Sequence, residues 1–192
     1  MGKPTIGEKF ITPRGRILYP KVFETDTTGQ FKDNKYKLQI CFDKSDRAVM
    51  EQVKLARAAC LKLAGQVWPT LSPEQLKDVA LPFHDGDKKG KEGYGGTVYI
   101  TAKSKFRPGV VDKNVKEILD PGEVYSGMWG KCSVTPFTYE LPKKGVSYFL
   151  GNLQKLSDGD RIGGGGSDPA EDFTAEGGSE TEPFVDDDDI VF

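Results

Sequence analysis

The spacing of the hydrophobic residues changes along the chain. In KYKLQICF, residues 35–42, apolar and polar side chains alternate, as in a β-strand with one buried face. Over residues 45–63 the apolar positions step by four and three, which is typical of an amphipathic helix. The stepping positions are Val49, Val53, Ala56, Cys60 and Leu63. The two patterns predict a strand followed by a helix that ends before Gly65.

Further segments rich in β-branched and aromatic residues predict the other strands. They span residues 16–24, 96–106, 124–141 and 145–156, and Pro20 favours an edge position for the first. A second, short helix is predicted where Ser72, Pro73 and Gln75 supply a cap, a first-turn proline and a capping-box glutamine. About five strands with this helical insertion predict a mainly β fold, an OB-fold Greek-key barrel.

The strand faces predicted to be exposed carry aromatic and basic side chains together. In residues 97–107, Phe106 falls on the core face and Tyr99 on the opposite face; in residues 35–42, Tyr36 falls on the core face. The exposed set is Lys35 and Lys37 on one strand, Tyr99, Lys103, Lys105 and Arg107 on the next, and Trp129, Lys131, Phe137 and Tyr139 on a third. Tyr94, in a glycine-rich loop, is a further candidate that either stacks on a base or anchors the turn.

Charge divides the chain into two parts. The net charge is -2, but all 27 Lys and Arg lie in residues 1–162 together with 19 of the 29 acidic residues, so this part carries +8 and residues 163–192 carry -10. The second part opens with GGGGS and has the composition of a disordered segment. The sequence therefore predicts one folded domain over residues 1–162 and a flexible acidic tail over residues 163–192.

Rings and cations on one sheet face suit a single-stranded nucleic acid. Its bases stack on aromatic side chains at ~1–3 kcal/mol each, and its phosphates are neutralised by Lys and Arg. Duplex DNA hides its base faces, and no basic recognition helix is present in the sequence pattern. We expect sequence-independent binding to single strands, with no cofactor and no metal.

The chain ends in a block of charge tipped with apolar residues. The block consists of Asp186, Asp187, Asp188 and Asp189, and Ile190, Val191 and Phe192 follow it. A flexible chain of this length reaches roughly 30 Å, enough to return over the basic body. We expect the tail to compete with the nucleic acid and, when displaced, to offer Phe192 to partner proteins.

Two other functional classes remain open. Asp85, Asp87 and Glu92 are conceivable metal ligands of a single-strand nuclease, although Lys88, Lys89 and Lys91 indicate a neutralised loop instead. A protein–protein adaptor without DNA affinity would use only the tail. The sequence shows neither an apolar run of ~20 residues nor a signal peptide, so we expect an intracellular protein without a membrane segment.

Four blocks of the sequence resemble a family of bacteriophage single-stranded DNA-binding proteins with an OB fold. The blocks are LPFHDGDKKG, SKFRPGVVD, DPGEVYSGMWGKCSV and LGNLQKLSDGDRIGGG, in this order. The resemblance implies non-catalytic coating and protection of single-stranded DNA during phage replication, recombination or repair in the cytoplasm of a bacterial host. It also implies that the tail recruits replication or recombination proteins. We keep a homodimer as an alternative to a monomer.

Overall fold

The computed structural model describes residues 3–25, 27, 33–140 and 142–163, so the predicted acidic tail after Gly163 lies outside the described residues. Eight strands and two helices form this part of the chain. In chain order they are β1 (Phe10–Ile11), β2 (Gly15–Lys21), β3 (Tyr36–Asp43), α1 (Arg47–Val67), α2 (Pro73–Lys77), β4 (His84–Asp85), β5 (Thr97–Ser104), β6 (Val110–Val111), β7 (Trp129–Tyr139) and β8 (Gly145–Ser157).

Five of the strands close into a barrel. β2 pairs with β3, β3 with β5, β5 with β8, β8 with β7, and β7 returns to β2. Only the β5–β8 pair in this circuit is parallel. The short strands β1, β4 and β6 extend β7, β5 and β8. The predicted mainly β, OB-type barrel with a helical insertion is confirmed.

The barrel interior is filled by alternate residues of its strands, because successive side chains of a strand point to opposite faces. Leu38 and Ile40 of β3 and Ile100 of β5 are fully buried there. Helix α1 packs on the same core, and its buried residues include Cys60, whose sulfur lies 3.2 Å from the Tyr148 hydroxyl oxygen. The inward positions and the helix together form one continuous core.

The helix ends follow the capping chemistry of the sequence. Asp46 caps α1 by accepting a hydrogen bond from the Val49 backbone at 3.1 Å. The capping box of Ser72 and Gln75 at the start of α2 is confirmed. The predicted end of α1 before Gly65 is wrong, because the helix continues to Val67 and places Gly65 inside it.

Three details of the predicted strands are also wrong. β5 ends at Ser104, whose hydroxyl accepts a hydrogen bond from the Phe106 backbone in a bend, so Phe106 leaves the strand alternation and is 82% exposed instead of buried. Tyr36 is half-buried and does not belong to the core. β2 pairs on both sides, and Pro20 is accommodated where the β2–β3 register shifts between Leu18 and Lys21.

Cys41, Cys60 and Cys132 are free and buried, as their scattered positions predict. In the part of the chain that the structure describes, no helix combines the length and the apolar character needed to cross a bilayer.

Candidate nucleic-acid interface

The strand register gathers basic and aromatic side chains on the outer surface of the barrel. Lys37 of β3 lies directly opposite Lys103 of β5, and Lys103 is in register with Phe149 of β8. Lys103 and Phe149 line a depression that we call the basic groove. Its lining also includes Lys35, Thr101, Lys105, Phe106, Phe137, Tyr139 and Ser147.

The aromatic side of the basic groove is formed by a stacked pair. The ring centroids of Phe137 and Phe149 are 3.9 Å apart, with an angle of 15° between the ring planes. Phe149 is 38% exposed, and Phe106 lies at the same depression with most of its ring in solvent. Flat apolar surfaces of this kind match the faces of unpaired bases.

A second depression continues the basic groove. It shares Thr101 and Lys103 with the first, so the two are contiguous. Its further lining residues are Tyr19, Lys37, Leu38, Gln39, Lys89, Lys91 and Tyr94. The groove therefore contacts all five barrel strands and ends against the loop of residues 86–96.

The basic groove also contains an acid. The Lys103 ammonium lies 2.7 Å from Asp33 Oδ2, and this hydrogen bond, helped by the charge of Lys37, lowers the pKa of Asp33. The other carboxylate oxygen of Asp33 is buried and accepts no hydrogen bond from the described residues. Lys103 is thus paired with a protein anion when no ligand is bound.

Tyr94 and Tyr99 do not offer exposed rings, so the expectation of an exposed Tyr99 is wrong, and of the two alternatives for Tyr94 the burial supports the anchor of the turn. Tyr99 points to the outer face, as the alternation predicts, but residues 86–96 and Ile162 cover that face. Tyr94 is 1% exposed and Tyr99 8% exposed, in a small second core with Leu18, Cys41 and Ile162. The Tyr94 hydroxyl donates a hydrogen bond to Gln39 Oε1, and burial raises the pKa of Tyr94. Tyr94 anchors the loop.

The covering loop is closed by an ion-pair bridge. The Lys44 ammonium lies 2.5 Å from Asp85 and 2.6 Å from Asp87, and these contacts hold the pKa of both carboxyls below their ordinary value. Asp87 also accepts a hydrogen bond from the Gly96 backbone at 2.6 Å. Within residues 3–25, 27, 33–140 and 142–163, no group of three His, Cys, Asp or Glu side chains is placed to hold a metal ion. Asp85 and Asp87, two of the three acids considered as nuclease ligands, are therefore engaged in closing the loop.

Three predicted residues lie away from the basic groove, so the expectation of one common surface is wrong for them. Trp129 is paired with Arg16 at the far end of β7, where β7 meets β2. Lys131 lines a different depression, beside Ile11 and Val115. The Arg107 guanidinium lies 5.4 Å from the centre of the Phe23 ring.

The structure adds groove residues that the sequence pattern did not identify, namely Tyr19, Gln39, Lys89, Lys91, Phe106 and Phe149. A signal for Phe149 was present, because Val146, Tyr148 and Leu150 alternate inward around it. The lysines of the loop had no such signal, since their position depends on how the loop folds back over β5.

The chain is similar in sequence to a protein family and to a phage protein, and similar in fold to solved structures. A family model described as Enterobacter phage Enc34, ssDNA-binding protein, matches residues 8–185. The chain is 31% identical over 166 residues to a putative protein, p50, of Acyrthosiphon pisum secondary endosymbiont phage 1, covering 82% of this chain and 88% of the relative.

Solved structures share the fold. The single-stranded DNA-binding protein from bacteriophage Enc34, in complex with single-stranded DNA, superposes with a TM-score of 0.64 at 20% identity over 81% of this chain and 89% of that chain. The protein gp2.5, a single-stranded DNA-binding protein encoded by bacteriophage T7, superposes with a TM-score of 0.54 at 18% identity over 84% of this chain and 98% of that chain.

Proposed function

The chain belongs to the family of phage single-stranded DNA-binding proteins represented by the Enc34 protein, and from this premise we propose that it binds single-stranded DNA in the basic groove, without sequence preference and without turnover. One observation carries the assignment of the site: the row Lys37, Lys103 and Phe149, aligned by strand register across the barrel surface. Cations and rings in one row match the alternation of phosphates and bases in an unpaired strand.

The chemistry of binding follows from the groove lining. Phosphates are neutralised by the groove lysines Lys35, Lys37, Lys103 and Lys105 and release their counterions. The logarithm of the affinity therefore falls by ~0.7 per phosphate neutralised for each tenfold rise in salt concentration. Bases stack beside the Phe137–Phe149 pair and on Phe106. Stacking tolerates any base, because every base has a flat π-face. A duplex cannot use these rings, since its bases are already paired and stacked.

The acidic tail acts as an internal competitor in this proposal. A Cβ placed on Gly163, the last described residue, would lie 3.4 Å from the ring of Tyr19, so the chain leaves the described part beside the basic groove. A tail of about 30 residues spans roughly 30 Å, which brings Asp186 to Asp189 within reach of the groove lysines. DNA displaces the tail and leaves Phe192 available to replication or recombination proteins.

In the cell, we infer that the protein coats and protects single strands during phage replication, recombination or repair in the host cytoplasm. Lysines and phenylalanines without a base-reading hydrogen-bond array suit this role, because a coating protein must accept every sequence. A homodimer remains the alternative to a monomer, and sedimentation of the full chain with and without DNA distinguishes the two.

The test is a fluorescence titration of the full-length protein with single-stranded and duplex oligonucleotides at two salt concentrations. We expect tight binding to single strands, weak binding to duplex and intact DNA after incubation with magnesium. Magnesium-dependent degradation that is lost in Asp85→Ala and Asp87→Ala would establish the nuclease alternative. Absence of strand binding together with Phe192-dependent capture of a partner protein would establish the adaptor alternative.

A further inference from the structure

A second group of rings and cations lies on the barrel surface outside the basic groove. We call it the Trp129 cluster; its members are Arg14, Arg16, Tyr125, Trp129 and Arg161. The Arg14 guanidinium lies 4.3 Å from the centre of the Trp129 ring, and the Arg161 guanidinium 4.2 Å from the centre of the Tyr125 ring. Two guanidinium–aromatic stacks are thus presented side by side.

One turn of the chain holds both stacks in place. The Tyr125 hydroxyl accepts a hydrogen bond from the Gly159 backbone at 3.1 Å, and a Cβ at Gly159 would lie 3.2 Å from the Trp129 ring. Arg16 is fixed beneath them, because it donates hydrogen bonds to the backbone oxygens of Gly127 and Asp160, each at 3.0 Å. The cluster is therefore preorganised.

Two of its cations form no direct ion pair within the described part of the chain, although the charge of Arg161 contributes to lowering the pKa of Asp158. Arg14 and Arg161 are exposed, and neither takes part in the two ion pairs of this surface. Those pairs join Arg16 to Asp160 at 3.5 Å and Lys155 to Asp158 at 2.7 Å. Arg14 and Arg161 remain available to an external anion, and each guanidinium presents its outer plane to a flat group.

The Trp129 cluster lies on the same ladder of strands as the basic groove. Trp129 is in register with Arg16, Arg16 with Cys41, and Cys41 with Tyr99, four residues from Lys103 on β5. Three strand spacings of ~4.8 Å and four residues of ~3.3 Å place Trp129 about 20 Å from Lys103 over the surface. The small second core that covers Tyr99 lies between the two sites.

We propose that the Trp129 cluster is a second binding platform for the same DNA strand, which leaves the basic groove past Tyr19 and crosses the covering segment to reach Arg14 and Trp129. This inference rests on the proposed function. Bases stack on the two ring–guanidinium stacks, and phosphates contact the outer edges of Arg14 and Arg161. The binding site is consequently longer than the groove alone.

The observations favour a strand over a peptide as the occupant. The exposed features are flat stacks that repeat at two neighbouring positions, which suits a polymer of flat bases. The carboxylates of Asp158 and Asp160 lie in the same turn and repel any anion, so an occupant gains affinity here mainly through flat groups, of which a strand carries one on every nucleotide. The basic groove holds the rest of the same strand.

The experiment varies the length of the strand. Dissociation constants of the full-length protein are measured for oligothymidylates from about 4 to about 16 nucleotides, the range of single OB-fold sites. Arg14→Ala is expected to leave the affinity for the shortest oligomers unchanged and to weaken the longest by roughly tenfold, the scale of one lost stacking contact. Trp129→Phe, which keeps an aromatic ring, is expected to lower long-strand affinity only slightly.

Two controls distinguish a failure of the second platform from a failure of the proposed function. Arg57→Ala removes the same charge from the exposed side of α1 and is expected to change no affinity. Tryptophan fluorescence supplies a second readout, because Trp68 is 6% exposed and hydrogen-bonded to Glu140, so quenching by long strands reports on Trp129. Quenching that occurs with long strands and not with short ones supports the platform.

Two results would overturn the platform while leaving the groove intact. The first is an equal effect of Arg14→Ala on strands of every length, or none on any. The second is a loss of affinity for a peptide of residues 180–192 in Arg14→Ala without a change for long strands, which would assign the cluster to an acidic peptide. Failure of the wild-type protein to bind strands of any length would instead refute the proposed function.

Discussion

Lys103 and Asp33 form an ion pair inside the basic groove, with 2.7 Å between the ammonium nitrogen and Asp33 Oδ2. Side-chain exposures of 45% and 24% place the pair at the edge of solvent, where such contacts contribute only ~0.2–1 kcal/mol. A phosphate entering the groove must share Lys103 with Asp33 or replace it. The protein thus holds an anion against a central lysine of its candidate DNA site.

Asp33→Asn is therefore expected to raise the affinity for single strands. Removing the carboxylate frees Lys103 and takes one negative charge away from the groove, for a gain of up to roughly fivefold at low salt that shrinks as salt screens the charges. Titrations at two salt concentrations measure the effect. Asp78→Asn, at the end of α2, is the matched control. Unchanged or weaker binding by Asp33→Asn would show that Asp33 does not compete with DNA.

Phe149→Ala is expected to weaken strand binding with little loss of fold. The ring is partly exposed and stacks on Phe137, so its removal costs about one base contact, ~1–3 kcal/mol or roughly 5- to 150-fold in affinity. Phe149→Tyr keeps the stack and should bind nearly as the wild type. Leu55→Ala, an exposed apolar residue of α1, controls for loss of apolar surface. Wild-type affinity in Phe149→Ala would show that the Phe137–Phe149 pair does not belong to the DNA site.

Lys44→Met is expected to loosen the loop of residues 86–96 in a pH-dependent way. Lys44 lowers the pKa of Asp85 and Asp87 from 3.8, so its stabilisation is present above that pH and is lost as the pH falls through the lower folded-state values. The same contacts raise the pKa of Lys44 above 10.5, so the stabilisation persists at high pH until that raised pKa is passed.

Melting temperatures of wild type and Lys44→Met, measured from acid to neutral pH, check this expectation. The difference should be largest near neutral pH and should shrink below pH 3.8. Lys54→Met removes an ammonium that pairs with the exposed Glu51 on α1 and should shift the melting temperature little. A constant difference at every pH would show that the carboxylates are not the partners that matter.

Deleting residues 163–192 is expected to raise strand affinity at low salt, because the internal competitor is gone, and to have no effect at high salt. A full-length variant with Asp186, Asp187, Asp188 and Asp189 replaced by Asn keeps the length of the tail and should reproduce the gain. Phe192→Ala should leave DNA affinity unchanged and reduce partner capture. Equal affinities of the full-length and shortened proteins at all salt concentrations would refute self-competition.

Local chemistry in the sequence was sufficient for much of the fold. The two-residue period of β3 and the four-and-three period of α1 predict their types, because each period matches a fixed geometry of side-chain directions. Ser72 and Gln75 predict the start of α2, since a cap is satisfied within one turn. The separation of charge into a basic body and an acidic tail is readable directly, as are the blocks that carry the family resemblance.

Which outward side chains meet solvent, and which lie together, was decided only by the tertiary structure. Alternation assigns Tyr99 to the outer face, but whether that face meets solvent depends on the loop of residues 86–96, which Lys44, just after β3, holds in place through Asp85 and Asp87. Lys37, Lys103 and Phe149 meet because strand pairing aligns them, whereas the closure of the barrel carries Trp129 to a separate surface. These relationships involve residues far apart in the chain, so no local period encodes them.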